Sequence, residues 1–394
     1  MVQVLSSKGV RLIGHHDLNG SGDGMQVMRH GDALYVGHHG VSGQGTSILD
    51  VSDPRSPRLV AQWPAPTGTH THKVQVADNL LLVNHERFPL PTGEPETGPA
   101  STGLAIYRID SPLEPTRLAF WEAGGRGVHR VVYTGGRFAY LSATPEGFND
   151  RIWVILDLAD PAHPVEAGRW WWPGQWVAAG EEATWPPGER FAAHHALIDG
   201  DIAYLGYDDA NLVVLDISDR WRPQLLATLE WDGGSTHTCL PLPGRGLVVA
   251  TDEQVTPGPE APVRTIRLID VADPARPAVV CTLPAPDVSL ARPGARFGAH
   301  NLHENRPDSY VSETLVFATY FSAGLRVYDI RDLRAPREVA HWVPEAAPGQ
   351  VAAQSNDVFV DAAGLIYVTD RVGGGVAILE PDAELAALMA ESRR

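Results

Sequence analysis

The sequence predicts an all-β fold, a seven-bladed β-propeller of four-stranded antiparallel blades. A strand-turn-strand motif recurs about every 55 residues. A hairpin of two apolar strands precedes each copy, and the two ends of the chain each carry part of one blade.

The motif is a strand ending in Asp, a turn closed by Pro, and a second strand. It reads SILDVSDPRSPRLVAQW (Asp50, Asp53, Pro57) and AIYRIDSPLEPTRLAFW (Asp110, Pro115). Next come WVILDLADPAHPVEAGRW (Asp157, Asp160, Pro164) and LVVLDISDRWRPQLLATLEW (Asp216, Asp219, Pro223). IRLIDVADPARPAVVCTL (Asp270, Asp273, Pro277) and LRVYDIRDLRAPREVAHW (Asp329, Asp332, Pro336) follow, with a truncated copy, GVAILEPD, at Glu380. An Asp side chain caps such a turn and Pro presets φ before the next strand, so these Asp read as turn formers, not catalysts. The hairpins run from GMQVMRHGDALYVG to NDVFVDAAGLIYVT. The last copy lacks its outer strand, and the N-terminal KGVRLIGHHDL is expected to supply it, which would close the sheet and leave no unpaired edge. Residues 382–392 read as a short surface helix, and residues 1–394 as one domain.

Through LDVSDP, LDLADP, LDISD and IDVADP the chain resembles the LVIVD-repeat β-propellers over most of its length. That resemblance implies the fold and leaves the activity open.

Composition narrows the partners. A net charge of -17 argues against nucleic acid and anionic membrane surfaces. No apolar run approaches the roughly 20 residues of a membrane span, and the start of the chain lacks the apolar stretch of a signal peptide. With two cysteines there is no disulfide framework, and a cytoplasmic address is expected. A small-molecule substrate is the expected partner, and a homo-oligomer is compatible with the sequence.

Aligning the hairpins on their turns brings out a pattern in histidine. The first position of the first strand holds His72, His129, His194, His237 and His300 in blades two to six. The innermost strand of a blade lines the central channel, so these five imidazoles are expected at one depth around one axis. They are the candidate metal ligands, with His195 and His303 as alternatives; a His-plugged, water-filled channel is the competing reading. Neutral imidazoles without thiolates suit a divalent transition metal, iron first, with zinc, manganese or copper as alternatives.

The loops that join second to third strands fall on the same face as the ring. Among their residues Glu86, Asp252 and Arg371 directly follow apolar second strands and are the candidate catalytic groups, as proton carriers or as partners that orient ligand His. The insertion EAGRWWWPGQWVAAGEEATWPPGERFAAHH leads into His194. Trp176 and Trp185 within it, with Tyr320, are expected to shape a substrate pocket or lid; a packed or dimerising surface is the alternative.

The expected chemistry is that of a mononuclear non-haem iron oxidoreductase or oxygenase acting on a small, partly apolar or aromatic substrate. The site architecture resembles that of carotenoid- and stilbene-cleaving oxygenases, where four His from different blades hold iron, and in looser terms the selenium-binding, methanethiol-oxidase propellers. A redox-inert metal-dependent lyase or hydrolase, similar to streptogramin-inactivating propeller lyases, is the second reading. A non-catalytic binding propeller is the third.

Overall fold

The computed structural model describes residues 3–87, 101–255, 258 and 263–394. Parts of two loops read above as facing the ring, residues 88–100 and most of 256–262, lie outside the described residues.

Four-stranded antiparallel sheets repeat along the chain, consistent with propeller blades. Gly24–His30, Ala33–His38, Gln44–Asp50 and Arg58–Pro64 pair in chain order. So do His195–Asp199, Ile202–Gly206, Leu212–Asp216 and Gln224–Leu229, and then Thr236–Leu242, Leu247–Asp252, Ile266–Asp270 and Ala278–Thr282. Val74–Ala77, Leu80–Arg87, Gly103–Arg108 and Thr116–Glu122 form a similar run, as do Gly127–Val132, Phe138–Thr144, Ile152–Asp157 and Val165–Trp170. These two runs join into one larger sheet where Glu86 pairs with Gly127.

The N-terminal segment supplies two outer strands. Val10–His16 pairs with Gly375–Pro381, beside Ile366–Asp370 and Ser355–Val360. Val4–Lys8 pairs with Arg337–Pro344, beside Leu325–Asp329 and Leu315–Thr319. The sequence pattern missed this second pairing. In that sheet His300–Leu302, expected to be an inner strand, makes only an isolated bridge from Leu302 to Ala318. Its amides still pair, His300 N with Thr319 O at 2.9 Å and His303 N with Phe317 O at 2.9 Å.

Burial follows strand order. Ala33–His38 and Ile152–Asp157 are buried throughout, whereas Arg58–Pro64 is half-buried to exposed and Ala278–Thr282 largely exposed. Inner strands are sandwiched between neighbouring sheets, so both faces are apolar and the period-two alternation is lost. The Asp turns form as read. Asp50, Asp157, Asp216, Asp270 and Asp329 each accept a hydrogen bond from the backbone N–H two residues on, at 2.8–3.1 Å. Ala383–Ser392 is the C-terminal helix, capped by the Asp382 side chain on Leu385 N, with Leu385 and Met389 buried one turn apart.

Candidate metal centre

Several inner strands begin with a β-bulge, and two of the ring histidines sit on one. Register shifts fall between Val128 and Arg130, between Thr236 and Thr238, and between Ser355 and Asp357. His129, His237 and Asn356 are therefore the extra residues, and a bulge re-aims a side chain that strict alternation would turn elsewhere.

His72, His129, His194, His237 and His300 stand side by side. Successive ring centroids are 4.9, 4.8, 3.8 and 4.4 Å apart. His70, two residues before His72, stacks on it at 4.0 Å and extends the arc. All six imidazoles line one cavity of about 200 Å³. Two groups have the spacing to chelate a metal ion: His194, His237 and Glu253, all on the cavity wall, and His70, His72 and Glu86, whose carboxylate lies behind the wall.

Hydrogen bonds prepare several of these rings. His129 Nδ1 donates to Glu86 Oε2 at 2.8 Å, and His300 Nδ1 donates to the Asn356 carbonyl at 2.7 Å. Fixing the proton on Nδ1 leaves Nε2 as a lone pair, the form that binds metal. His129 Nε2 and His194 Nε2 are 3.1 Å apart, a separation that one shared proton or one shared cation satisfies. His72 Nε2 and His194 Nδ1 are buried without a hydrogen-bond partner among the described residues. In the first group both ring nitrogens of His70 face acceptors, His39 O at 3.1 Å and Glu86 Oε2 at 2.8 Å. A cation between Nε2 and Oε2 would satisfy that pair as well as a second ring proton.

Burial dominates the electrostatics. It holds His72, His194, His237 and His300 well below the usual imidazole range and pushes His129 down to about 3, against the pull of Glu86. The rings are thus neutral, as metal ligands must be. Burial opposes ionisation of Glu86, yet His129 and His70 outweigh it and keep the carboxyl well below its usual range. Burial, with Arg296 beside it, pushes the Arg371 guanidinium down to about 10.

The other expected residues lie elsewhere. His303 spends both ring nitrogens on backbone, Tyr310 O at 2.7 Å and Val360 N at 3.2 Å. His195 faces Thr238 Oγ1 at 3.2 Å and Glu304 at 3.3 Å, within a buried network that includes Arg130 and Arg306. Asp252 is tied to Thr236, Trp231 and Arg267, and it is the next residue, Glu253, that lines the cavity. Tyr320 is fully buried in an apolar cluster. Trp176 packs on Phe148 and Trp171, and Trp185 stacks on Phe191 beside a separate cleft shared with Trp172 and Trp231. Neither Trp is part of the cavity wall.

Arg371 does line the cavity, with Lys73, Arg151, Arg190 and Arg296, which sequence reasoning passed over. Nothing in the local sequence marks these four, because their proximity arises only when separate sheets come together.

The LVIVD repeat family model matches residues 21–63 and 193–229. These two stretches are similar to the LVIVD repeat, within a propeller-like fold. Among solved structures it is similar to the β-propeller domain of Cps50 (Swd1) from Myceliophteria thermophila. That likeness has 11% identity over 97% of this chain and 100% of the other, with a TM-score of 0.56. It is also similar to the computationally designed Ika8 protein, at 11% identity over 95% and 99% of the two chains and a TM-score of 0.50. Both likenesses bear on the fold alone. No curated protein matches the chain.

Proposed function

We propose that the chain is a closed seven-bladed propeller and a metal-dependent enzyme, with a divalent transition metal held by His194, His237 and Glu253. The observation that carries this reading is the buried His/His/Glu grouping inside a cavity ringed by neutral imidazoles. Two His and one carboxylate with open positions favour iron(II), which places an oxidoreductase or oxygenase first. When bound, such a metal supplies the redox chemistry. The protein supplies the rest: His129 and His300 flank the site, Glu86 orients His129, and the Asn356 carbonyl orients His300. The lyase or hydrolase reading draws on the cations of the cavity wall, which would stabilise negative charge developing on a substrate.

Metal analysis by plasma mass spectrometry on protein purified without a His tag tests the proposal, beside a His194→Ala/His237→Ala variant. About one equivalent of iron or copper, lost in the variant, is the expected result. Zinc or manganese lost in the same way moves the assignment to the lyase or hydrolase. A second equivalent, lost in His70→Ala/His72→Ala, means that both groups load. No metal in any sample, even after reconstitution, overturns the enzyme reading and leaves a binding scaffold.

A further inference from the structure

The cavity wall is cationic in a chain whose formal net charge is -17. Five basic side chains line it, Lys73, Arg151, Arg190, Arg296 and Arg371, and its acidic side chains are Asp208 and Glu253. Burying charge without a partner is unfavourable; burial pushes the Lys73 ammonium down to about 7 against the pull of Asp357, and the partners of the arginines decide the rest. Arg151 and Arg190 both reach Asp208, and Arg190 also pairs with Asp150. Arg296 pairs with Glu253. The Arg371 guanidinium has no hydrogen bond or ion pair among the described residues; its contact is the ring of Phe321, 5.9 Å from guanidinium carbon to ring centroid.

Phe321 ties that cation to the candidate metal ligands. Arg296 stands over the same ring at 5.6 Å, and His300 packs on it at 4.5 Å. Phe321 is fully buried and holds a left-handed backbone, φ +46, which a bulky aromatic rarely adopts. Its carbonyl is pinned by the amides of Gly324 and Ser355, each at 3.0 Å. A strained residue over-determined in this way is a recurrent feature of ligand clamps. The space is small and polar. A volume of about 200 Å³ is room for about seven waters. Met25 and Val255 are its apolar lining.

We propose that the substrate is a small anion, a carboxylate or a phosphate, whose charged oxygens are taken by Arg371 and Arg296 beside the His194–His237–Glu253 group, with Phe321 positioning both guanidiniums. This rests on the metal-enzyme reading and replaces an apolar or aromatic substrate with a compact charged one. A planar guanidinium fork matches carboxylate and phosphate oxygens alike, and each such charge-assisted pair is strong where water is scarce.

Calorimetric titration of the full-length protein tests it, with metal content measured on the same batch. The probes are oxalate and inorganic phosphate, with oxamide as the neutral counterpart. At least one anion is expected to bind, more weakly as salt is added, while oxamide does not. Which anion binds separates carboxylate from phosphate recognition. Arg371→Gln should weaken binding about 10- to 100-fold with metal content unchanged, and Arg371→Lys should restore part of it. Equal binding of oxamide and oxalate overturns the proposal, as does wild-type anion affinity in both Arg371 variants. Metal without anion binding removes the clamp and leaves the metal reading. Arg371-dependent anion binding without metal does the reverse.

Discussion

Asp252 and Glu253 are consecutive, yet their side chains meet different surroundings. Asp252 accepts from Thr236 Oγ1 at 2.8 Å and Trp231 Nε1 at 3.1 Å and pairs with Arg267. Glu253 reaches within 4.0 Å of His237 Nε2 and 3.7 Å of His300 Nε2. Asp252 is the last residue of the strand Leu247–Asp252 and Glu253 the first beyond it, so one residue decides the role. Asp252→Asn should cost about 3 kcal/mol in urea unfolding, because it leaves Arg267 half-paired in a buried setting, and should leave metal content unchanged. Glu253→Gln should do the opposite, emptying the site with little change in melting temperature. The histidines were legible because five of them repeat in register. The choice between adjacent acids was not, because it turns on where the second strand stops, and strand ends are weakly marked in a sequence pattern.

Turns carry most of what the sequence makes plain at the level of elements. Asp-to-Pro spacing locates the connection between third and fourth strands, and the structure adds a register shift just before it, at Ile48/Leu49, Ile155/Leu156, Val214/Leu215, Leu268/Ile269 and Val327/Tyr328. One of these turns also stores charge. Asp329 accepts from the Arg331 side chain, with Arg337 adding a bond at 2.9 Å, and these pull its carboxyl down to about 2. A carboxyl depressed in the folded state stabilises it above the unfolded value near 4, and that contribution is lost as pH falls through about 2. Asp329→Asn keeps the turn and loses the ion pairs. It should be less stable than the parent by about 1 kcal/mol at pH 6, with the gap closing between about pH 4 and pH 2 in a series of urea melts. The inner arm at His300–Leu302 was expected to be a strand because the hairpins, aligned on their turns, place His300 at a strand start. Its amides still reach the neighbouring strand, but its carbonyls are partly taken by side chains, as when Thr251 Oγ1 donates to His300 O at 2.7 Å.

The whole molecule depends on strands brought from the start of the chain to sheets near its end. Val4–Lys8 is exposed along its length, whereas Val10–His16 buries Val10 and packs Leu12 and Ile13 onto apolar clusters. Deleting residues 1–8 should lower the melting temperature by only a few degrees. Deleting residues 1–16 uncovers the Gly375–Pro381 edge and should broaden the calorimetric transition and produce aggregates in size-exclusion chromatography. The return of KGVRLIGHHDL to the last sheet was readable from a missing strand. The outer strand at Val4–Lys8 was not, since five exposed residues leave no hydrophobic signature. The cationic wall was also hidden, as residues from Lys73 to Arg371 become neighbours only in three dimensions.

That scatter orders events during synthesis. A ribosome releases His70, His72 and Glu86 together, as little more than one hairpin, and delivers Arg371 long afterwards. An ion captured by the nascent chain would meet a fragment of the cavity, without Glu253, Arg296 or Arg371 to discriminate among ions and anions. The cavity wall is complete only once Arg371 has joined the histidines, so under the proposed function metal selection would wait until that residue has been made.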